Sequence, residues 1–335
     1  MMPLLDVQNL VTEFHTQDGV VHAVNDVSFQ VDRGELVALV GESGCGKTVS
    51  SLSIMRLIQD PPGKITGGRI LFEGNDLLKL SNENMRKIRG SQISMIFQEP
   101  MTSLNPVLTI GRQLTEGLQQ HKRLDIQDAE IIAVNLLQKV GIPHAEKRLN
   151  SYPHHFSGGM RQRVMIAMAI SGKPKLMIAD EPTTAVDVTI QAQLLELLKS
   201  IIQELNSALI LITHNLGVVA RYANRVYVMY AGRIVEYGTA EEIFHSPLHP
   251  YTAGLLGSVP RLDEPRKHRL TSIEGQPPDL IYPPTGCAFA QRCIYRIDGE
   301  CTTGVLNNVE ITPGHFTNCL VAIKGEKPWR KITSL

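Results

Sequence analysis

The run Gly41-Glu42-Ser43-Gly44-Cys45-Gly46-Lys47-Thr48 constrains this chain more than any other feature. In a G-x-x-x-x-G-K-[ST] loop the glycines admit positive φ and close backbone approach, so consecutive N–H groups and a helix N-terminus can surround a phosphate. Lys47 supplies a point charge for the β- and γ-phosphates, and the Thr48 hydroxyl is suited to ligate Mg²⁺. The surroundings agree: residues 35–40 (Glu35-Leu-Val-Ala-Leu-Val40) predict a short buried strand entering the loop, and residues 49–58 predict a helix leaving it. A glycine-rich turn without function would lack that strand–loop–helix setting. Cys45 occupies a place where a small residue suffices, because such a loop works through its backbone.

A second carboxylate feature lies far downstream. Lys175-Leu-Met-Ile-Ala-Asp180 reads as a charged lead-in, four apolar residues and an acid, the pattern of a central parallel strand ending at the ligand-binding face of a sheet. Asp180 is then placed to hold Mg²⁺ from its outer shell, and Glu181, one residue on, to polarise the water that attacks a γ-phosphate. Alone, an Asp-Glu pair after an apolar run is a solvated strand end; the phosphate loop upstream changes its meaning. Ser157-Gly158-Gly159-Met160-Arg161-Gln162 stands between the two, followed by the apolar helix Val164-Met-Ile-Ala-Met-Ala-Ile170.

With these motifs in this order, the chain resembles the nucleotide-binding subunit of an ATP-binding-cassette transporter. The resemblance implies an α/β P-loop NTPase fold with a RecA-like core, an antiparallel β lobe, an α-helical subdomain and a C-terminal cysteine-rich extension. It also implies that two such subunits meet head to tail, with each ATP held by the phosphate loop of one and the Ser157, Gly158 and Gly159 signature of the other; here Met160 replaces the glutamine of many members. Hydrolysis would then loosen the dimer, since a ligand shifts a conformational equilibrium by its differential affinity for the two states.

Smaller matches complete the expected site. Gln98, after the apolar strand Ile93-Ser-Met-Ile-Phe97, resembles the glutamine that reaches Mg²⁺ and the attacking water. Ala185-Val186-Asp187 resembles the loop that contacts the opposite subunit, with Val186 in place of the more usual Leu. His214, after Ala208-Leu-Ile-Leu-Ile-Thr213, resembles the switch histidine of the γ-phosphate, although Asn215 departs from the Asp that usually follows it. For the adenine the resemblance calls for an aromatic residue upstream of the loop: Phe14 is the candidate, His22 the alternative, and a core Phe14 the plain reading.

Composition bounds the rest. A chain of 335 residues exceeds one cassette, so a main domain over residues 4–245, with its helical subdomain at about 100–165, and an extension over 246–335 are expected. Lys plus Arg and Asp plus Glu are both 33, giving net charge +0 and no basic footprint for nucleic acid. The longest apolar runs are about seven residues, far below the roughly 20 needed to span a bilayer, and residues 1–6 show no signal peptide. The chain is therefore expected at the cytoplasmic face of the plasma (inner) membrane, as a peripheral subunit without a transmembrane segment. Strands over residues 4–14, 23–31 and 68–75 are expected to form the antiparallel lobe, residues 126–140 an amphipathic helix, and residues 225–237 a hairpin turning at Ala231-Gly232.

Beyond residue 245, His249-Pro250-Tyr251-Thr252, Glu274-Gly275-Gln-Pro277 and Pro284-Thr-Gly286-Cys287-Ala-Phe289-Ala-Gln-Arg292-Cys293 resemble the C-terminal extension of oligopeptide and dipeptide importer ATPases, as does Met101-Thr-Ser-Leu-Asn-Pro106. That resemblance implies an energy-coupling ATPase of a peptide importer, working with two membrane permeases, a paralogous ATPase subunit in a heterodimer and an extracytoplasmic peptide-binding protein. Nickel, an antimicrobial peptide or another small solute are alternative cargoes, and an iron–sulfur sensor module with ATPase activity is the reading of another class. Four of the five cysteines, Cys287, Cys293, Cys301 and Cys319, fall within 33 residues. Such clustering in a cytosolic chain points to a metal before disulfides. The gaps of five, seven and seventeen residues are not those of a zinc ribbon. A [4Fe–4S] cluster, which the importer family carries there, is the expected cofactor beside ATP and Mg²⁺, with zinc or free thiols as the alternatives.

Overall fold

Runs of consecutive apolar residues become strands buried on both faces here, and four-residue spacings become helix faces. The computed structural model describes residues 2–184, 186–258, 273–304, 306–326 and 328–329. They fall into two compact units, one formed mainly by residues 76–212 and the other by residues 5–30, 36–75 and the chain from 213 onward.

In the first unit, Leu176–Asp180 is fully buried and runs parallel to Ile93–Ile96 on one side and Ala208–Ile212 on the other. Parallel strands covered on both faces carry no polar alternation, which is why these segments read as unbroken apolar runs. The helical stretch expected over 100–165 consists of Pro100–Ser103, Ile110–Lys122, Ile126–Lys139, Ala145–Arg148 and the start of Gly158–Ile170. The Ile126–Lys139 helix begins on the Asp125 cap, whose carboxylate accepts from the Asp128 N–H, and buries Ala129, Ala133 and Leu137 at four-residue steps.

In the second unit, Leu36–Val40 pairs in parallel with Arg225–Tyr230. That strand turns back into Arg233–Thr239 through Ala231 and Gly232, both at positive φ (48° and 79°), as a tight primed turn requires. The antiparallel lobe pairs Leu5–His15 with Gly63–Phe72, with Val20–Val31 on the far side of Leu5–His15. Its third strand starts at Gly63, five residues before the expected Gly68, because Phe14 and Gly63 are register partners and the small glycine leaves room for the ring. The helix after the phosphate loop is Lys47–Ile54 and stops short of the expected Ile58. Arg56 takes φ 50°, the Arg56 N–H bonds Ser53 O and the Leu57 N–H bonds Leu52 O, the paired closure that ends a helix at a left-handed residue.

The chain after residue 245 joins this unit by strand pairing. His315–Thr317 lies antiparallel to Arg233–Thr239, with Glu236 opposite Thr317 and Tyr237 opposite Phe316, and Val309–Thr312 follows outside it. Glu236 is fully buried beneath this junction: its carboxyl oxygens accept from the Leu248 N–H (2.6 Å), the His249 N–H (2.8 Å) and the His315 ring Nε2 (2.8 Å). Trp329, also buried, donates its indole N–H to Pro247 O at 2.9 Å.

Candidate active site

The phosphate loop takes its shape from two glycines that no larger residue could replace. A Cβ on Gly41 would lie 2.1 Å from Met229 O, and one on Gly46 would lie 2.3 Å from Ala23 O; Gly46 also holds φ 103°. Gly46 is the cap of Lys47–Ile54, so no capping side chain competes for the first-turn N–H groups. Ser43, Gly44 and Thr48 are exposed, whereas Cys45 and Lys47 are buried. Lys47 Nζ donates to Gly41 O (2.9 Å) and Glu42 O (2.8 Å), and approaches Cys45 Sγ at 3.6 Å. The ammonium is thus folded over the loop, neutralising carbonyl dipoles that a phosphate would displace it from. Burial pushes the Cys45 thiol up, partly offset by Lys47.

Glu42 is gripped from the distal extension. Its N–H donates to the Tyr251 hydroxyl at 2.8 Å, and its carboxylate receives both guanidinium arms of Arg292 at 2.7 and 3.0 Å. Burial opposes the Arg292 charge, but the bonds to Glu42 and Tyr230 raise its pKa above the ordinary arginine value. These contacts span 209 and 250 positions of sequence. No local pattern announces them.

Of the expected adenine candidates, Phe14 is half-buried and its ring lies 2.7 Å from where a Gly63 Cβ would stand. His22 is also half-buried and engages Glu13 at 3.0 Å through Nδ1, while its N–H bonds Leu280 O. His214 is exposed just beyond the Ala208–Ile212 strand. Asn215 behind it caps the Leu216–Tyr222 helix by accepting from the Val218 N–H, and its own N–H bonds Thr213 Oγ1 at 3.0 Å. Amide and carboxylate side chains can both make that cap, which accounts for Asn in this place.

The carboxylate half of the expected site lies in the first unit. Asp180 ends its strand nearly fully buried. Glu181 adopts φ 44°, a left-handed conformation uncommon outside glycine and concentrated at functional sites, and its N–H bonds Ile212 O. Its Oε2 accepts from Gln98 Nε2 (3.1 Å) and from the Thr184 hydroxyl (2.9 Å). Gln98 and Glu181, 83 positions apart, are therefore in direct contact. Thr184 is a partner that the sequence patterns missed.

Ser157 caps the Gly158–Ile170 helix, its hydroxyl accepting from the Met160 N–H at 3.3 Å, and Arg161 Nε fixes the approach by bonding Pro153 O at 2.8 Å. Gly159 sits where a Cβ would come within 3.2 Å of Ile190. Asp187 caps Val188–Leu205, accepting from the Ile190 N–H at 3.0 Å; Ala185 lies outside the described residues.

The four extension cysteines border one small cavity together with His249, Pro250, Phe289 and Arg296. Burial pushes Cys287 up to about 11 and Cys319 up to about 12, and raises Cys293 as well. Among the described residues, no group of three or more His, Cys, Asp or Glu side chains is arranged to hold a metal ion. The expected Cys-ligated centre is thus gathered around a cavity without being closed to ligand geometry. His249, buried, accepts the Tyr251 N–H on Nδ1 at 3.1 Å. Burial holds its pKa down to about 3.

Comparison with known proteins joins these pieces. The family described as ABC transporter matches residues 24–184, and the one described as oligopeptide/dipeptide transporter, C-terminal region, matches residues 235–301. The chain is similar to the oligopeptide transport ATP-binding protein OppD of Bacillus subtilis (strain 168), 56% identical over 89% of this chain and 84% of the relative. It is likewise similar to the dipeptide transport ATP-binding protein DppD of the same organism, 57% identical over 89% of this chain and 88% of the relative. Among solved structures, cbiO1 from Clostridium perfringens, part of the ABC transporter complex cbiONQ, superposes with TM-score 0.62 at 28% identity, covering 73% of this chain and 92% of that one.

Proposed function

Since the chain belongs to the ATP-binding-cassette transporter family, with the C-terminal region of its oligopeptide/dipeptide branch, we propose that it is the ATP-hydrolysing, energy-coupling subunit of an importer for di- or oligopeptides. The observation that carries this reading is the conjunction of the Gly41–Thr48 loop, shaped by glycines that admit no Cβ, with the matched extension over residues 235–301. Among the described residues no helix is long and apolar enough to cross a membrane. The chain is taken to act from the cytoplasmic face, through two permeases, a paralogous ATPase subunit and an extracytoplasmic binding protein. The relatives' names speak for transport, so the sensor alternative is set aside.

The roles follow from the chemistry of each residue. The N–H groups of the Gly41–Thr48 loop other than those of Glu42 and Cys45, which bond Tyr251 and Glu42 O, cradle the phosphates. Lys47 leaves its carbonyl partners for the β- and γ-phosphates, Thr48 serves Mg²⁺, and Asp180 and Gln98 each offer an oxygen of the kind that ion takes. Glu181, oriented by Gln98 and Thr184, accepts a proton from the attacking water. His214 meets the γ-phosphate, and Phe14 packs against adenine. Ser157, Gly158 and Gly159, at the start of a thirteen-residue helix whose Met160 N–H is already capped by Ser157, present the positive helix end to the nucleotide of the partner subunit.

The extension's Cys287, Cys293, Cys301 and Cys319 would hold the [4Fe–4S] cluster. Four thiols on one cavity suit a soft metal centre, and loading would draw them together as the thiols deprotonate. Such a cluster supplies a cross-link to a segment that carries no helix or strand over residues 273–304. Anaerobically purified protein carrying neither iron nor zinc would remove this part of the reading without touching the ATPase. Uptake of radiolabelled dipeptide by cells expressing the complete transporter tests the whole: Lys47→Ala is expected to abolish it, and uptake at the wild-type rate would overturn the assignment.

A further inference from the structure

The Arg292–Glu42 pair is built to a degree that exposed ion pairs are not. All five guanidinium N–H donors are engaged: two reach the Glu42 carboxylate, one the Tyr230 hydroxyl at 3.2 Å, one Glu274 O at 2.9 Å and one Ile273 O at 3.3 Å. The Arg292 side chain is only 6% exposed, and its cation lies 5.8 and 5.9 Å from the ring centroids of Tyr230 and Phe289. Those rings pack with Tyr251, whose hydroxyl accepts the Glu42 N–H. A residue of the phosphate loop is therefore held by side chain and backbone at once, and both holds come from the chain beyond residue 245.

The chemistry of a triphosphate gives that arrangement a purpose. A carboxylate in the loop that must receive several negative charges opposes the ligand by Coulomb repulsion, and a bidentate guanidinium cancels it while fixing where it sits. We propose that Arg292 is a positioning residue for nucleotide binding: it neutralises and anchors Glu42 from the extension, so that the extension sets the affinity of the phosphate loop for Mg-ATP. Arg292 lies between Cys287 and Cys293 in a tight turn, where the Ala290 N–H bonds Cys287 O and the Arg292 N–H bonds Phe289 O. Rearrangement of the cysteine cavity would thus reach the loop through one side chain.

This inference rests on the phosphate-loop reading above, and the test separates the two. Equilibrium binding of Mg-ATP and steady-state hydrolysis are measured on full-length wild type, Arg292→Gln, Arg292→Lys and the double variant Glu42→Gln/Arg292→Gln. Arg292→Gln is expected to weaken Mg-ATP binding about 10-fold, the order of one partly screened unit charge, with the effect falling on KM rather than kcat. Arg292→Lys, which keeps the charge and loses the fork, falls between. The double variant regains affinity relative to Arg292→Gln, because the unpaired carboxylate is gone, although its thermal stability stays low. Wild type that fails to bind Mg-ATP defeats the phosphate-loop reading itself. Binding by Arg292→Gln equal to wild type, or a double variant no tighter than Arg292→Gln, overturns the positioning role. Should Arg292→Gln not fold, unchanged binding by Arg292→Lys gives the same refutation.

Discussion

Replacing Glu236 by alanine should release the extension from the hairpin that carries it. Three donors converge on this fully buried carboxyl, from Leu248, His249 and His315 at 2.6–2.8 Å. Truncation leaves all three without an acceptor, at about 1–3 kcal/mol for each buried donor stranded. Water entering the vacated space recovers part of that sum, so the expected loss is about 3–5 kcal/mol, as for breaking a buried hydrogen-bond network. Glu236→Gln keeps the shape and one carbonyl acceptor but sets its NH₂ against N–H donors, and should cost less. The chain contains a single tryptophan, Trp329, buried and bonded to Pro247 O next to Leu248. Its fluorescence reports this junction alone during urea unfolding. The Trp329 transition of Glu236→Ala should shift to lower urea, ahead of the far-UV circular dichroism of the core. A loss under about 1 kcal/mol, within the reach of ordinary substitutions, would refute the weight placed on the Glu236 network.

Other outcomes follow from the loop. Gly46→Ala must force a Cβ toward Ala23 O at φ 103°, so it should cost roughly 1–3 kcal/mol and abolish nucleotide binding; a protein with wild-type melting and binding would contradict the geometry. The Cys45 thiol lies above the ordinary value of 9.0 because it is buried, so its thiolate fraction keeps growing past pH 9. Its alkylation rate, followed by peptide mass spectrometry, should therefore still climb between pH 9 and 10, and a plateau below pH 9 would count against the burial. Lys47→Met removes the cation that partly offsets that rise, so it should move the climb to higher pH, and an unmoved profile would deny the Lys47–Cys45 contact.

Local patterns made much of this architecture legible. Leu176–Asp180 and Ala208–Ile212 were recognisable because strands covered on both faces have no polar alternation, and Gly41–Thr48 because close approach to Met229 O and Ala23 O excludes side chains. The Ala231-Gly232 turn follows from the same kind of local demand. Element ends were less legible: the Lys47–Ile54 helix is closed by a left-handed Arg56, and arginine carries no signal for that conformation. Contacts between distant positions were not legible at all. The Gln98–Glu181 bond could be anticipated only because each residue belongs to a motif. Arg292 on Glu42 and Glu236 under residues 248 and 249 join segments whose local patterns specify each strand or turn and nothing of its neighbour. The cysteine cluster is intermediate: its four members were countable in the sequence, and they border one cavity, but their spacing does not fix a ligand geometry.

The most direct measurement of the central claim compares Mg-ATP hydrolysis by wild type and Glu181→Gln in the assembled transporter, with nucleotide occupancy read in parallel. If Glu181 takes the proton of the attacking water, the variant should retain bound Mg-ATP while turnover falls by about 10²-fold or more. Turnover by Glu181→Gln at the wild-type rate, or a wild-type protein that neither binds nor splits ATP, would contradict the account.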